Sequence, residues 1–140
     1  MTNPSSADSA KTTEHIAMLR YLYADVRRIS EISSADIILH PADRDLSTPP
    51  KPPLRGVAAV QAHEEALVDA TGGTLVMEVD KITASDDFGT VLGTLRASQP
   101  GRGEIAVAFC GVWRFKDGLA VEHWENAANP ARLVEWLVGC

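Results

Sequence analysis

Cysteine is scarce in this chain. Two residues, Cys110 and Cys140, cannot build a disulfide framework. Cys110 falls inside a long apolar run and is expected to be a small core side chain, a usage that fits a reducing cytoplasm. Positive charge is also in short supply. Thirteen Lys and Arg face 19 Asp and Glu, for a formal net charge of −6 and a pI near 5.1. That balance argues against nucleic acid or an anionic membrane as the main partner. No window approaches the roughly 18 consecutive apolar residues that a membrane span needs. The opening MTNPSSADSAKTTE has no apolar core of a secretory signal. There is no internal repeat. His15, His40, His63 and His123 are scattered without close ligand spacing, so no metal site is expected.

What the chain does have is 140 residues at 45% hydrophobic composition, enough for one domain with a real core. Residues 1–12 are polar and read as a disordered arm, leaving a single domain over 13–140. Thr12 or Thr13 caps a helix whose stripe is Ile16, Leu19, Leu22, Tyr23 and Val26, running to about Ile32, with Tyr21 on its flank. Residues 33–36 end it. Asp36 to His40 is a short strand stopped by Pro41. Residues 43–55 hold four prolines and form a long loop of the kind that serves as a lid or rim. A second helix runs from Val57 to Ala70 between Gly56 and Gly72-Gly73. On it His63, beside Glu64 and Glu65, is expected on a solvated face.

Strands follow over residues 74–82, 88–97, 105–115 and 119–127, divided by Asp86-Asp87, by residues 99–103 and by Lys116-Asp117-Gly118. Asp-Gly is the strongest short hairpin pattern. Asn129-Pro130 opens a last helix with Leu133, Trp136 and Leu137 as its stripe. Helices followed by a run of strands indicate α+β, with four antiparallel strands curling around the first helix and a cavity between sheet and helices. Alternation along the last strand puts Val121, His123, Glu125 and Ala127 on one face, and Glu122, Trp124 and Asn126 on the other.

This order of elements, together with Gly56-x-x-x-Val60, GVWRFKDG and VEHWE, resembles the nuclear transport factor 2-like superfamily. Within it the chain is similar to SnoaL-like polyketide cyclases, with ketosteroid isomerases as relatives. The resemblance covers residues 13–138 and implies a cone-shaped, cystatin-like α+β roll: a curved antiparallel sheet wrapped around N-terminal helices. It also implies acid/base candidates. His123-Trp124-Glu125 stands where such cyclases carry His-Trp-Asp, His40 before Pro41 where the isomerases carry their base, and Tyr21 in Met18-Leu19-Arg20-Tyr21 where they carry an oxyanion tyrosine. Gly111 stands where the second oxyanion donor would be, which argues against steroid isomerisation. Arg96-Ala97-Ser98 keeps the Arg but lacks the Asp of the fold's epoxide hydrolases.

Two functions are open on these grounds. One is an enzyme that moves a proton next to a carbonyl, in aldol cyclisation, isomerisation or dehydration. His40, His123 and Glu125 would be its acid/base groups and Tyr21 its carbonyl-polarising donor, with no cofactor and no metal. The other is a non-catalytic binding or scaffolding module around the same cavity. Either would take a small hydrophobic molecule, which the enzyme reading requires to carry a carbonyl. The enzyme requires His40 and Glu125 to look into one cavity. The strand over 105–115 is apolar on both faces, and its outward set of Ala106, Ala108, Cys110 and Val112 predicts a homodimer through the outer sheet face.

Overall fold

The computed structural model describes residues 6–138. Helix α1 spans Ser6–Ala24, so it reaches back into the stretch expected to be a disordered arm; residues 1–5 of that arm lie outside the described residues. Leu19 and Leu22 are buried completely or nearly so, which confirms the stripe. The single long helix expected to Ile32 is broken at Asp25, whose carboxylate accepts from the Arg27 backbone N–H at 3.1 Å. A 3-10 turn over Val26–Arg28 and a short α2 over Ile29–Ile32 follow. That local bond competes with helix continuation.

Strand β1 (Ser33–His40) begins where the sequence suggested a helix end. After the proline-rich loop come β2 (Leu54–Arg55), α3 (Val57–Ala70), β3 (Val76–Ala84), β4 (Phe88–Gln99), β5 (Gly103–Lys116), β6 (Leu119–Ala127) and α4 (Pro130–Val138). The bounds of α3 and β6 are those expected from sequence. The six strands form one sheet in the order β2-β1-β6-β5-β4-β3. The four long strands are an antiparallel meander. β1 adds to it in parallel, with Leu39 opposite His123 and His40 opposite Trp124. A parallel neighbour needs a long connection, and here everything from β2 to β5 supplies it. The architecture is α+β, with α1 to α3 on the concave face.

The sheet curves where side chains are missing. A Cβ on Gly93 would sit 2.1 Å from the Glu78 carbonyl oxygen, so the close approach of β3 to β4 requires glycine there. A register shift beside Phe115 pairs it with Ala120 and Arg114 with Glu122. Val121 is thus the extra residue of a bulge. The inward set of β6 is Ala120, His123, Glu125 and Ala127, not the run through Val121 that strict alternation gives.

Two apolar clusters flank the interior. One gathers Leu19, Leu22, Ile37, Leu39, Trp113 and Phe115; the other gathers Leu95, Ala97, Ile105, Val107 and Leu133. His15 belongs to the first end. Its Nδ1–H donates to the Ser85 carbonyl at 2.9 Å and its ring stacks on Phe115 at 4.0 Å. The loop over residues 41–53 is ordered by its own polar contacts. Arg44 donates to the carbonyls of Pro41 at 2.7 Å and Glu125 at 2.5 Å and to Asn126 Oδ1 at 2.8 Å, while Lys51 pairs with Asp43 at 2.6 Å. It forms a rim beside the end of β6. Among the described residues no helix is long and apolar enough to cross a membrane.

Candidate functional site

Between the sheet and the helices lies a cavity of ≈ 280 Å³. Leu22, Leu67, Met77, Val107, Phe109 and Leu137 give it apolar walls, and its polar groups converge from α1, α3, β5 and β6. β6 brings Glu125. α3 brings two adjacent residues, His63 and Glu64. Glu64 is only 4% exposed, although it carries a carboxyl. The reason is its place on the helix: it follows Val60 by four residues, on the face that packs inward.

The His63 imidazole donates from Nε2 to Glu125 Oε1 at 2.9 Å. The Glu64 carboxyl bonds the same Glu125 carboxylate. Two carboxyls in one apolar site cannot both ionise cheaply. Burial, and then the charge and hydrogen bond of Glu125, push Glu64 well above the usual carboxylate range. Burial would raise Glu125 as well, but the hydrogen bond and charge of His63 outweigh it, aided by His123 and Glu64, and hold Glu125 below its ordinary value. Burial, the largest single influence, draws His63 down, but its hydrogen bond to Glu125 and the charges of Glu125 and Asp43 together outweigh it, with a net rise. The site therefore holds a proton more readily on Glu64 than on Glu125, beside a His63 that is more basic than a free imidazole. The two carboxyls titrate as a pair.

His123 plays a different part from the one expected. It is 4% exposed, stacked on Trp113 at 3.6 Å, and its Nδ1–H donates to the Val112 carbonyl at 3.0 Å. Burial lowers its pKa to about 4, against the opposing attraction of Glu125. It is neutral near pH 7 and leaves Nε2 as an acceptor. The imidazole paired with Glu125 is that of His63, from a helix, rather than its strand neighbour two residues back.

Gly111, opposite Glu125 in the β5–β6 register, explains itself here. A Cβ at this position would fall 2.2 Å from the Tyr23 hydroxyl and 3.3 Å from His123 Cε1. The space over Gly111 is filled by a phenol from α1. Tyr23 Oη accepts from Trp113 Nε1 at 3.2 Å, and burial, first among its causes, raises the phenol far above its ordinary range, keeping its own proton in place.

Two expected site residues do not line the cavity. His40 faces outward, because parallel pairing sets it opposite the outward Trp124. Its ring stacks on Trp124 at 5.2 Å, and its Nε2–H donates to Glu122 Oε2 at 2.7 Å. Tyr21 is two residues from both Leu19 and Tyr23, about half a helical turn off their stripe. It is 43% exposed, donates to Glu31 at 2.7 Å and lies under Arg28. Arg96 also stays outside, paired with Glu78 at 3.0 Å and exposed. Conversely His63, expected on a solvated face, joins the site, as do Glu64 and Tyr23. Sequence reasoning missed Glu64; the signal that could have found it is a carboxylate inside the apolar spacing Val60, Glu64, Leu67.

His63, Glu64 and Glu125 can each offer one ligand atom, all within 4.8 Å of one another, so the set has the composition to hold a divalent ion. In the structure these atoms bond to each other instead.

Comparison with known proteins gives a consistent family. Residues 15–123 match the family model described as SnoaL-like domain. No functionally curated protein matches the sequence. Among solved structures, a putative SnoaL-like polyketide cyclase from Jannaschia sp. CCS1 is similar at 14% identity, with all of both chains covered and a TM-score of 0.73. AclR, a putative hydroxylase from Streptomyces galilaeus, is similar at 23% identity over 89% of this chain and 96% of its own, with a TM-score of 0.67. An NTF2-like protein of unknown function from Cytophaga hutchinsonii is similar at 14% identity over 84% and 98%, with a TM-score of 0.68.

Proposed function

Starting from a chain that belongs to the SnoaL-like domain family, we propose that it is an enzyme that moves a proton next to a carbonyl of a small hydrophobic molecule. The observation that carries this reading is two carboxyls, Glu64 and Glu125, with oxygens within 4.8 Å at the polar end of an apolar cavity, the one pushed above and the other held below the ordinary carboxylate range. Environments that push two titratable groups apart are how acid and base roles are assigned. Glu125, the carboxylate, takes the proton as the C–H bond beside the carbonyl breaks. The electron pair moves to the carbonyl oxygen. Tyr23, with its proton held, and neutral Glu64 are the donors for that developing oxyanion. His63 holds Glu125 in place and carries the compensating charge. His123 contributes a neutral wall and an acceptor nitrogen. His40 and Tyr21 have no part in this scheme. The overall outcome, whether cyclisation, isomerisation or dehydration, depends on what the enolate then attacks or expels.

The test is exchange of the α-protons of an enolisable ketone with deuterium from solvent, followed by NMR for wild type and Glu125→Gln. Acceleration by wild type that the variant loses supports the reading. Equal rates in the two proteins remove Glu125 from the mechanism.

One observation favours the second reading, a non-catalytic binding module. Glu125 is held below its ordinary range by His63, which weakens it as a base. Absence of exchange with any enolisable guest that binds would select that alternative. Under either reading we place the protein in the cytoplasm, in keeping with a free Cys110. We also place it in a homodimer through the outer sheet face, where Leu92 is 45% exposed beside exposed Ala106 and Ala108.

A further inference from the structure

The charges around the cavity say something about its guest that the proton chemistry does not. The titratable acids and imidazoles lining it are Asp43, His63, Glu64, His123 and Glu125; no Lys or Arg is among the described lining residues. Every charge there has a partner already. Glu125 is bonded by His63, and Asp43 by Lys51. Arg44, next in the chain to Asp43, spends its guanidinium on the Pro41 and Glu125 carbonyls and on Asn126. An anionic group entering the cavity would lose its water and meet no spare cation. It would also approach two carboxylates, Asp43 at the rim and Glu125 inside. Burying an uncompensated charge is far more costly than burying a neutral carbonyl. Size sets a second bound. An apolar cavity of about 150 Å³ takes benzene, so ≈ 280 Å³ suits a guest of two fused rings.

We infer that the cavity admits a neutral, two-ring carbonyl compound and rejects the corresponding carboxylate, and that Asp43, with Lys51 on the rim, determines that specificity. This rests on the proposed use of the cavity as the substrate site. It has a consequence for the order of reactions: a precursor bearing a free acid must first be esterified, amidated, lactonised or decarboxylated before it reaches this protein.

The test uses a matched pair of fluorescent probes at neutral pH. 2-Acetylnaphthalene is neutral, and 2-naphthoate has nearly the same shape with one negative charge. Dissociation constants are measured by titration for wild type, Asp43→Asn and Lys51→Met, and the readout is the ratio of the anion's constant to the neutral probe's. Wild type should show a ratio on the order of 30 or more. Asp43→Asn releases the Lys51 ammonium to meet an anion and should lower the ratio about 5-fold. Lys51→Met leaves Asp43 unopposed and should raise it 2- to 5-fold. Both effects are modest because the two side chains are 23% and 52% exposed and solvent screens them. A disturbance of the loop would move both variants the same way, so opposite shifts identify charge as the cause. A wild-type ratio near 1, or shifts of the same sign, overturns the inference and leaves the proton-transfer reading standing. Failure of both probes to bind overturns it together with the cavity's role as a substrate site.

Discussion

Strand β6 carries two glutamates three residues apart, and each is hydrogen-bonded to a histidine from another element. Glu125 meets His63 at 2.9 Å and Glu122 meets His40 at 2.7 Å. As pairs they are nearly the same. Their surroundings are not. Glu125 looks into an apolar cavity with a second, buried carboxyl against it. Glu122 lies on the outer face, where Arg114 reaches its other oxygen at 3.1 Å. Partial burial would raise Glu122, but the bonds from His40 and Arg114 outweigh that and leave it a stable carboxylate. A histidine–carboxylate pair is therefore not in itself a site. What makes one reactive is a crowded, poorly solvated neighbour that forces a proton to be shared.

The sharpest way to break this comparison is to remove both carboxylates in turn. Glu125→Gln should cost on the order of 100-fold or more in α-proton exchange, whereas Glu122→Gln should leave the rate within about 2-fold because its amide still spans the outer face. Equal losses would make the two pairs equivalent. The next effect concerns the oxyanion donor. Gly111→Ala places a methyl against the Tyr23 hydroxyl and should lower kcat roughly 10-fold or more, with a smaller change in KM. Because Tyr23→Phe removes the hydroxyl without crowding, combining the two changes should cost little more than Tyr23→Phe alone. Additive losses would mean that Gly111 acts through packing only.

A third prediction concerns pH. Glu64 is held above its ordinary range, so the stability tied to its proton is fully present below the unfolded carboxyl range and is lost as pH rises through the elevated folded value. Glu125, held below its range, has the opposite sign: its contribution is present above the unfolded value and is lost as pH falls through the lowered one. Glu64→Gln keeps the neutral form at every pH. Its Tm should therefore fall less than wild type's between pH 5 and pH 9 in thermal melts, while Glu122→Gln should follow the wild-type slope on that side. A wild-type slope in Glu64→Gln would show that Glu64 does not hold the proton.

The smallest effect is expected on the outer face itself. Trp124→Arg places a charge on the outer face opposite Val112, and should convert a dimer to the 15.1 kDa monomer in light scattering with little loss of exchange activity per chain. A wild-type protein that is already monomeric at micromolar concentration would remove the dimer.

Much of the fold was legible. The bounds of α3 and β6 followed from Gly punctuation and the Asp117-Gly118 turn, and α4 from Asn129-Pro130, because these residues act locally. Glu125 was legible too, through strand alternation and the resemblance of His123-Trp124-Glu125. What failed was whatever depended on distant pairing. His40 sat before a proline as expected, yet parallel addition of β1 to β6 turned it outward. Tyr21 matched a local context, but Tyr23 two residues later faces the interior. His63 and Glu64 belong to a helix whose apolar stripe is weak, and only its docking over the concave sheet decides which face is buried.

The sequence by itself determined the α+β class, the meander of four strands, the apolar lining and the presence of a carboxylate on the inward face of β6. Periodicities of two and 3.6 residues and turn-forming residues are properties of the chain and survive any placement. Tertiary structure alone decided which histidine meets Glu125, that Gly111 makes room for a phenol, and that Glu64 keeps a proton. Those facts come from groups 61 to 88 residues apart in sequence brought into contact at low solvation, and a proton's position depends on the distance and dielectric between them rather than on residue identity.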